Sequence, residues 1–225
     1  ILTQGYVARG NVQKGFKRSK YIAQSSFTTP FIEHAYIEPE AGYAVKKNDR
    51  LEIYGCTQAP HMNRDSLARI LGLPVTSVRV VPTACGGGFG SKLDLSYHPY
   101  IALAAWKLDR PVAIIYTRQE SMRSTTKRHP SQIEIKIGCG TDGKISALEF
   151  EGNFNTGAYA SWGPTVANRV PVHASGPYKI PNYVAISKAI HTNTPNAGAF
   201  RGFGVPQTAI ALETTLSELA SKAGF

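Results

Sequence analysis

The residues best placed to do chemistry stand together at Ala84-Cys85-Gly86-Gly87-Gly88-Phe89-Gly90-Ser91-Lys92, a run of glycines around one aromatic side chain. Glycine reaches positive φ without a Cβ clash, yet it loses more conformational freedom on folding than any other residue. Such a run is expected where backbone must come close to something, and its successive N–H groups form a concave donor surface suited to an anionic or strongly polar ligand. A tight turn with no ligand is the plainer alternative. Two nucleotide-binding motifs fail here, because a P-loop needs Lys directly after its last Gly and the dinucleotide fingerprint needs Gly where Ser91 stands. A second loop of the same character, Ala199-Phe200-Arg201-Gly202-Phe203-Gly204, comes late in the chain. Each loop precedes a helical pattern, so the pair is expected to serve one bipartite site.

Other constellations carry less. Glu33, His34, Glu38 and Glu40 crowd one segment, but neighbours on a strand face opposite ways, which weakens shared metal ligation by Glu33 and His34. Ser124 to Lys127 spells SxxK without the partner motifs of an acyl-enzyme. The six histidines form no pair at helical or finger spacing. Cys56, Cys85 and Cys139 show no CxxC spacing, so neither a disulfide framework nor a zinc or iron–sulfur site is indicated, and a reducing, cytoplasmic setting is expected. The net charge of +10 is scattered over patches such as Lys14-Lys17-Arg18-Lys20, Lys46-Lys47-Arg50 and Arg123-Lys127-Arg128. None has the interleaved aromatics of a nucleic-acid stacking platform, so solvated surface or contact with an acidic subunit is expected instead. No apolar run approaches the roughly 18 residues of a membrane span, and no membrane partner is expected.

The elements that must position the two loops follow from pattern. Strands are expected at Tyr21 to Phe27, around Ala35-Tyr36-Ile37, at Leu51 to Tyr54 and at Val78 to Val81, the last delivering the chain into the glycine loop. Asn63 is read as the cap of a helix ending at Leu71 before Gly72, and Ser96 as the cap of another through Lys107. A strand at Val112 to Tyr116 completes the order strand, loop, helix, strand, which places a ligand at a strand's carboxyl end with Gln58 at the neighbouring one. Gln132 to Ile137 alternates and returns from Thr141-Asp142-Gly143 through Ile145 to Phe150 as a hairpin. Asn153 to Val170 reads as irregular, Val184 to His191 as a strand, and Pro206 opens a closing helix along which Leu212, Leu216, Leu219 and Ala223 recur. The fold class is α/β (α+β), with mixed sheets and packed helices, in two subdomains of about residues 1–130 and 131–225.

Five landmarks in order give the chain a family likeness over nearly its whole length: Glu33-His34-Ala35-Tyr36-Ile37-Glu38, Thr57-Gln58, Gly86 to Gly90, Tyr178-Lys179-Ile180-Pro181-Asn182, and Ala199 to Gly204 with Pro206-Gln207. It resembles the molybdenum-binding subunit of the xanthine dehydrogenase and aldehyde oxidase family of molybdenum hydroxylases. The resemblance implies molybdopterin, alone or as its cytosine dinucleotide, carrying molybdenum with no protein side chain as ligand. Gln58 corresponds to a glutamine that hydrogen-bonds an oxygen ligand of the metal. Gly87, Gly88, Phe89 and Gly90 correspond to backbone packed on the metal centre, with backbone near Arg201 also in contact. Phe203 matches an aromatic lying against the substrate ring, and Arg169 an arginine that polarises a purine oxygen.

Two departures accompany the likeness. Where purine-oxidising members have a substrate-binding glutamate just after the loop lysine, this chain has Leu93, which disfavours xanthine and leaves an N-heterocycle or an aldehyde as substrate. The glutamate that serves the family as base falls far toward the C-terminus and has no counterpart here, so it is expected on a missing remainder or a separate subunit. The chain, opening on Ile rather than Met, is thus read as a fragment or subunit that is inactive alone. Iron–sulfur and FAD modules are expected on partner subunits. Two rival readings are a reductase of aromatic thioesters within the same family, and an assembly subunit that keeps the fold without catalysis.

Overall fold

A computed structural model describes residues 1–225, which divide into two units. Unit 1 comprises Ile1–Ile32 and Arg128–Phe225, and unit 2 is the continuous stretch Glu33–Lys127. The expected division into 1–130 and 131–225 is therefore replaced. The first 32 residues belong with the last hundred because their strands find antiparallel partners only there, a long-range pairing that local pattern does not encode.

Unit 1 is built on a five-stranded sheet made of β1 (Thr3–Arg9), β2 (Tyr21–Thr29), β7 (Ser131–Cys139), β8 (Ile145–Gly157) and β9 (Tyr183–His191), in the order β1-β9-β8-β7-β2. All neighbours are antiparallel except β8 and β9. The hairpin of β7 and β8 stands as expected, and the alternation in β7 sends Ile133, Ile135 and Ile137 into the core while Gln132 and Glu134 stay exposed. Against the sheet pack α5 (Gly163–His173) and α6 (Val205–Ala223). Helix α6 buries Ala211, Leu212, Thr215 and Leu219 along one stripe, and Gly224 in left-handed conformation closes it.

Two readings of this unit change. The segment Asn153 to Val170 is not irregular: β8 runs on to Gly157 and α5 begins at Gly163. Glycines and asparagines disguise that helix, and its prolines fit it: Pro164 sits in the first turn, where an N–H is unpaired anyway, and Pro171 falls near the end. The N-terminal strand-like stretch also contains α1 (Val12–Arg18), started by Asn11, whose side chain accepts from the Lys14 N–H at 2.9 Å.

Unit 2 has a four-stranded sheet, β5-β4-β3-β6, from β3 (Ala41–Lys47), β4 (Arg50–Gly55), β5 (Val78–Pro82) and β6 (Val112–Ile115). Helices α2 (Pro60–Leu71) and α3 (His98–Leu108) lie on it, and α4 (Arg118–Ser124) follows with a complete capping box of Thr117 and Glu120. Strands β4 and β5 are parallel and joined through α2, so the segments leaving their carboxyl ends start side by side. Helix α2 begins at Pro60, about one turn before the expected cap Asn63, and α3 at His98, its cap Tyr97 one residue after the expected Ser96. Asn63 does not cap: its buried side chain donates to the Leu93 carbonyl at 2.9 Å and accepts from the Thr57 hydroxyl. No strand forms at Ala35-Tyr36-Ile37. Ala35 turns through φ +51°, Tyr36 is buried, and the Arg118 guanidinium holds the Tyr36 carbonyl at 2.7 Å, a course incompatible with a ladder. No helix in the chain is long and apolar enough to cross a membrane.

Candidate functional site

In unit 2 the glycine loop leaves β5, and the segment carrying Gln58 leaves the neighbouring β4, as the parallel pairing dictates. The Gln58 backbone N–H donates to the Lys92 carbonyl at 2.9 Å, and its side-chain Oε1 accepts the Gly90 N–H at 3.0 Å. With Oε1 so engaged, the exposed Gln58 side chain keeps its Nε2 group as a donor without a protein acceptor. Contact between Gln58 and the loop is tight, since a Cβ at Gly88 would lie 2.5 Å from Gln58 Oε1. Gly87 and Gly90 have φ of +98° and +112°, and between them Phe89 is held at φ +51°. A phenylalanine in the left-handed region stores local strain, which persists only where surroundings over-determine it and which clusters at functional sites. The Phe89 side chain is largely exposed.

The loop's hydrogen bonds account for its edges and leave its centre open. Gly86 N–H donates to Glu38 Oε2 at 2.8 Å, Ser91 N–H to the Gly88 carbonyl at 3.0 Å, and Leu93 N–H to the Gly90 carbonyl at 3.2 Å. The N–H groups of Gly87, Gly88 and Phe89 meet no protein acceptor. Three consecutive unpaired donors thus run from the part-buried Gly87 and the buried Gly88 to the exposed Phe89. Leu93 sits beside them in a short helical turn, half-buried, its carbonyl pinned by Asn63.

Beneath the loop lies a polar layer that pattern alone did not single out. Lys92 is buried and its ammonium reaches Glu38 Oε2 at 2.6 Å and the Glu38 carbonyl at 3.0 Å, 4.6 Å above the Tyr36 ring. Burial pulls the Glu38 carboxyl upward, but its bonds from Lys92 and the Gly86 amide outweigh this and hold it below the usual carboxylate range. Burial pushes the Tyr36 phenol up, reinforced by its hydrogen bond to Glu40. Partial desolvation likewise raises the exposed Cys85 thiol above its ordinary value. Glu33, one of the conceivable metal ligands, is committed to Lys127 at 2.6 Å. The signal for Lys92 was present in sequence as a lysine one residue past a glycine run; nothing in sequence marked Tyr36 as its floor.

In unit 1 the second loop repeats the device. Gly202, Phe203 and Gly204 have φ of +100°, +49° and +87°, so a phenylalanine is again held left-handed between glycines just before a helix, here α6. The Phe203 ring meets Trp162 edge-on at 5.9 Å, and the Arg169 guanidinium stands 5.8 Å from its centroid. Arg169 projects exposed from α5 and pairs with no carboxylate. Arg201 is exposed, and its carbonyl accepts from Arg128 Nη2 at 3.0 Å. Arg128 in turn lies flat over the Phe200 ring at 3.9 Å. Arg128 and Trp162 lacked any motif, and they are legible only once α5 and the loop are seen to pack together.

Three comparisons bear on this geometry. Residues 2–225 match the family described as the molybdopterin cofactor-binding domain. The chain is 40% identical over 217 residues to the nicotinate dehydrogenase large molybdopterin subunit of Eubacterium barkeri, covering 96% of this chain and 51% of that protein. It is 34% identical over 227 residues to the xanthine dehydrogenase molybdenum-binding subunit of Escherichia coli, covering all of this chain and 30% of the relative. Among solved structures it superposes on the aldehyde oxidoreductase of Desulfovibrio gigas with a TM-score of 0.95 at 27% identity, over 99% of this chain and 25% of that one. The chain thus spans about half the length, or less, of these proteins. The mixed α/β architecture and the sequence match agree, and the chain belongs to the molybdopterin cofactor-binding domain family of the molybdenum hydroxylases.

Proposed function

We propose that this chain holds molybdopterin, alone or as its cytosine dinucleotide, within a molybdenum hydroxylase that oxidises a flat N-heteroaromatic ring with water as the source of oxygen. The observation carrying the reading is the row of unpaired amides at Gly87, Gly88 and Phe89 beside the Gln58 side chain, whose Oε1 is bound to the Gly90 amide. The residues present fit the group, because an electron-rich cofactor needs hydrogen-bond donors and close backbone, and both are there without a side chain in the way. When bound, the cofactor supplies a dithiolene-held molybdenum that accepts two electrons. The protein's part is then positional. In unit 2, Gln58 and the loop amides orient the cofactor; in unit 1, backbone near Arg201 is a cofactor contact and the Phe203 face receives an aromatic ring.

Arg169 narrows the substrate. An exposed guanidinium with no acidic partner, next to an aromatic face, suits a ring bearing a carboxylate or an acidic carbonyl, on which it stabilises developing charge. Leu93, half-buried beside the loop, offers no polar partner for a purine, which favours a carboxylated heteroaromatic over xanthine. The 40% identical relative is named for nicotinate, a ring of that kind. Glu33 and Glu38 are tied to lysines and Glu40 receives the Tyr36 hydroxyl, so the base is assigned to none of them. It belongs on a further part of the protein or a partner, as do the iron–sulfur and FAD modules.

Elemental analysis and oxidation of the released pterin to its fluorescent form test the reading in the native protein, and absence of both molybdenum and pterin would overturn it. Gln58→Ala, which removes a side-chain donor beside the loop amides, is expected to lower kcat by ~10²-fold. A wild-type rate in that variant would support the assembly-subunit reading instead.

A further inference from the structure

One carboxylate closes the glycine loop at both ends. Glu38 Oε2 accepts the N–H of Gly86 at 2.8 Å and the ammonium of Lys92 at 2.6 Å, and these two residues bracket the unpaired donors at 87, 88 and 89. The Glu38 backbone repeats the connection, its N–H donating to the Gly86 carbonyl at 3.2 Å and its carbonyl accepting from Lys92 Nζ at 3.0 Å. Residue 38 therefore ties together the two ends of a loop that lies some fifty residues away in sequence and shares no strand ladder with it. Gly86 packs directly on this residue, since a Cβ there would lie 2.5 Å from the Glu38 Cβ.

The chemistry of the pair is costly if its only purpose is cohesion. The Lys92 side chain is 3% exposed, and an apolar side chain of similar volume would fill that place without desolvating an ammonium. What the charges add is direction. The ammonium divides its donors between the carboxylate and carbonyl of Glu38 and lies over the Tyr36 ring, so it has one position. With Lys92 fixed, its carbonyl takes the Gln58 backbone N–H, and Gln58 Oε1 takes the Gly90 N–H. A chain of contacts thus runs from Glu38 through Lys92 and Gln58 back to the centre of the loop.

We propose that Glu38 is a positioning residue, and that with Lys92 it forms a clasp holding the loop's free amides and Gln58 in the geometry that retains the cofactor. This rests on the functional reading above. The clasp touches no substrate, so its loss shows in cofactor retention and loop order before it shows in any binding of substrate.

The test uses the native protein as purified, with Glu38→Gln, Lys92→Met and the double variant. Glu38→Gln leaves the buried Lys92 ammonium without its counter-charge and lowers stability, Lys92→Met leaves the part-exposed Glu38 carboxylate with the Gly86 amide alone, and the double variant restores charge balance without restoring the clasp. Molybdenum and pterin per folded polypeptide are expected to fall about tenfold in all three, and hydrogen exchange in the peptide spanning Gly86 to Gly90 to quicken about tenfold, including in the double variant with its recovered thermal midpoint. Should the double variant regain cofactor content and slow exchange together with its midpoint, the pair is structural and the proposal is overturned. Wild-type stoichiometry and exchange in Glu38→Gln would overturn it as well. If the wild-type protein itself holds neither molybdenum nor pterin, the functional reading fails, and the exchange comparison still decides whether the clasp orders the loop.

Discussion

Acidification should weaken unit 2 through a single histidine. His98, at the start of α3, is 2% exposed, stacks on Tyr97 at 4.0 Å, and has neither ring nitrogen in a well-formed hydrogen bond. Burial lowers its pKa to about 4. Above pH 6.5 the ring is neutral in folded and unfolded chain alike and contributes no pH dependence. Between 6.5 and 4 the unfolded chain takes up the proton and the folded one does not, so stability falls as pH falls, and below 4 the loss levels off. At pH 4.5 the loss works out at about 2.5 kcal/mol, a large share of a typical domain's stability. Glu52, held down to about 2 chiefly by Lys47 and Tyr54, contributes stability that is fully present well above its unfolded value near 4.5 and begins to be lost only at the acid end of this window, so the fall between pH 6.5 and 5 belongs to the histidine.

The chain offers its own reporter, because Trp106 lies in α3 of unit 2 and Trp162 in unit 1. In a Trp162→Phe background, guanidinium unfolding followed by tryptophan fluorescence reads unit 2. Midpoints at pH 7, 5.5 and 4.5 should drop steeply in that protein. In His98→Phe, which keeps the stacked ring and removes the titratable nitrogens, the drop should shrink by about 2.5 kcal/mol at pH 4.5. An unchanged pH dependence in His98→Phe would refute the assignment of the effect to burial of this ring.

Two further outcomes can be checked. Gly157 combines φ +77° with a Cβ position that would meet the Pro195 carbonyl and lie 2.6 Å from the Asn196 Cα, so Gly157→Ala should destabilise unit 1 by at least about 2 kcal/mol, read as the shift in its guanidinium midpoint. Arg169→Met, which keeps stem packing near Phe203 but removes the charge, should raise KM for a carboxylated heteroaromatic by roughly tenfold while changing an uncharged aldehyde's KM less than about twofold; equal effects on both would argue against charge recognition.

Much of the site was legible because it is written in backbone chemistry. Glycines around Phe89 and Phe203 declare positive φ, and the structure places both phenylalanines there together with Gly87, Gly90, Gly202 and Gly204. The parallel neighbours β4 and β5 set Gln58 beside the loop, as two successive strand ends suggested. What failed did so where tertiary contacts outbid local preference. Asn63 has ideal capping chemistry, yet bridging Thr57 and Leu93 in the interior satisfies its amide more fully than a cap would. Tyr36 and its neighbours look like a strand, but burying that ring under Lys92 bends the chain away from any ladder. Helix α5 was hidden among the glycines and asparagines of its segment, and with it Arg169 lacked a visible support. The allotment of β1 and β2 could not be read at all, since nothing local ties Thr3 to Ala189.

That last pairing has a consequence for how the protein is made. Unit 2 is one uninterrupted stretch, complete once Lys127 has emerged from the ribosome, and its sheet needs no later residue. Strand β1 is synthesised well before its neighbour β9, which arrives only after Tyr183 to His191 has been made, and until then the edge of β1 that β9 covers is unpaired and open to other nascent chains. The interval between the two is the period in which the growing chain most needs shielding, and a pause in translation ahead of residue 183 would lengthen it.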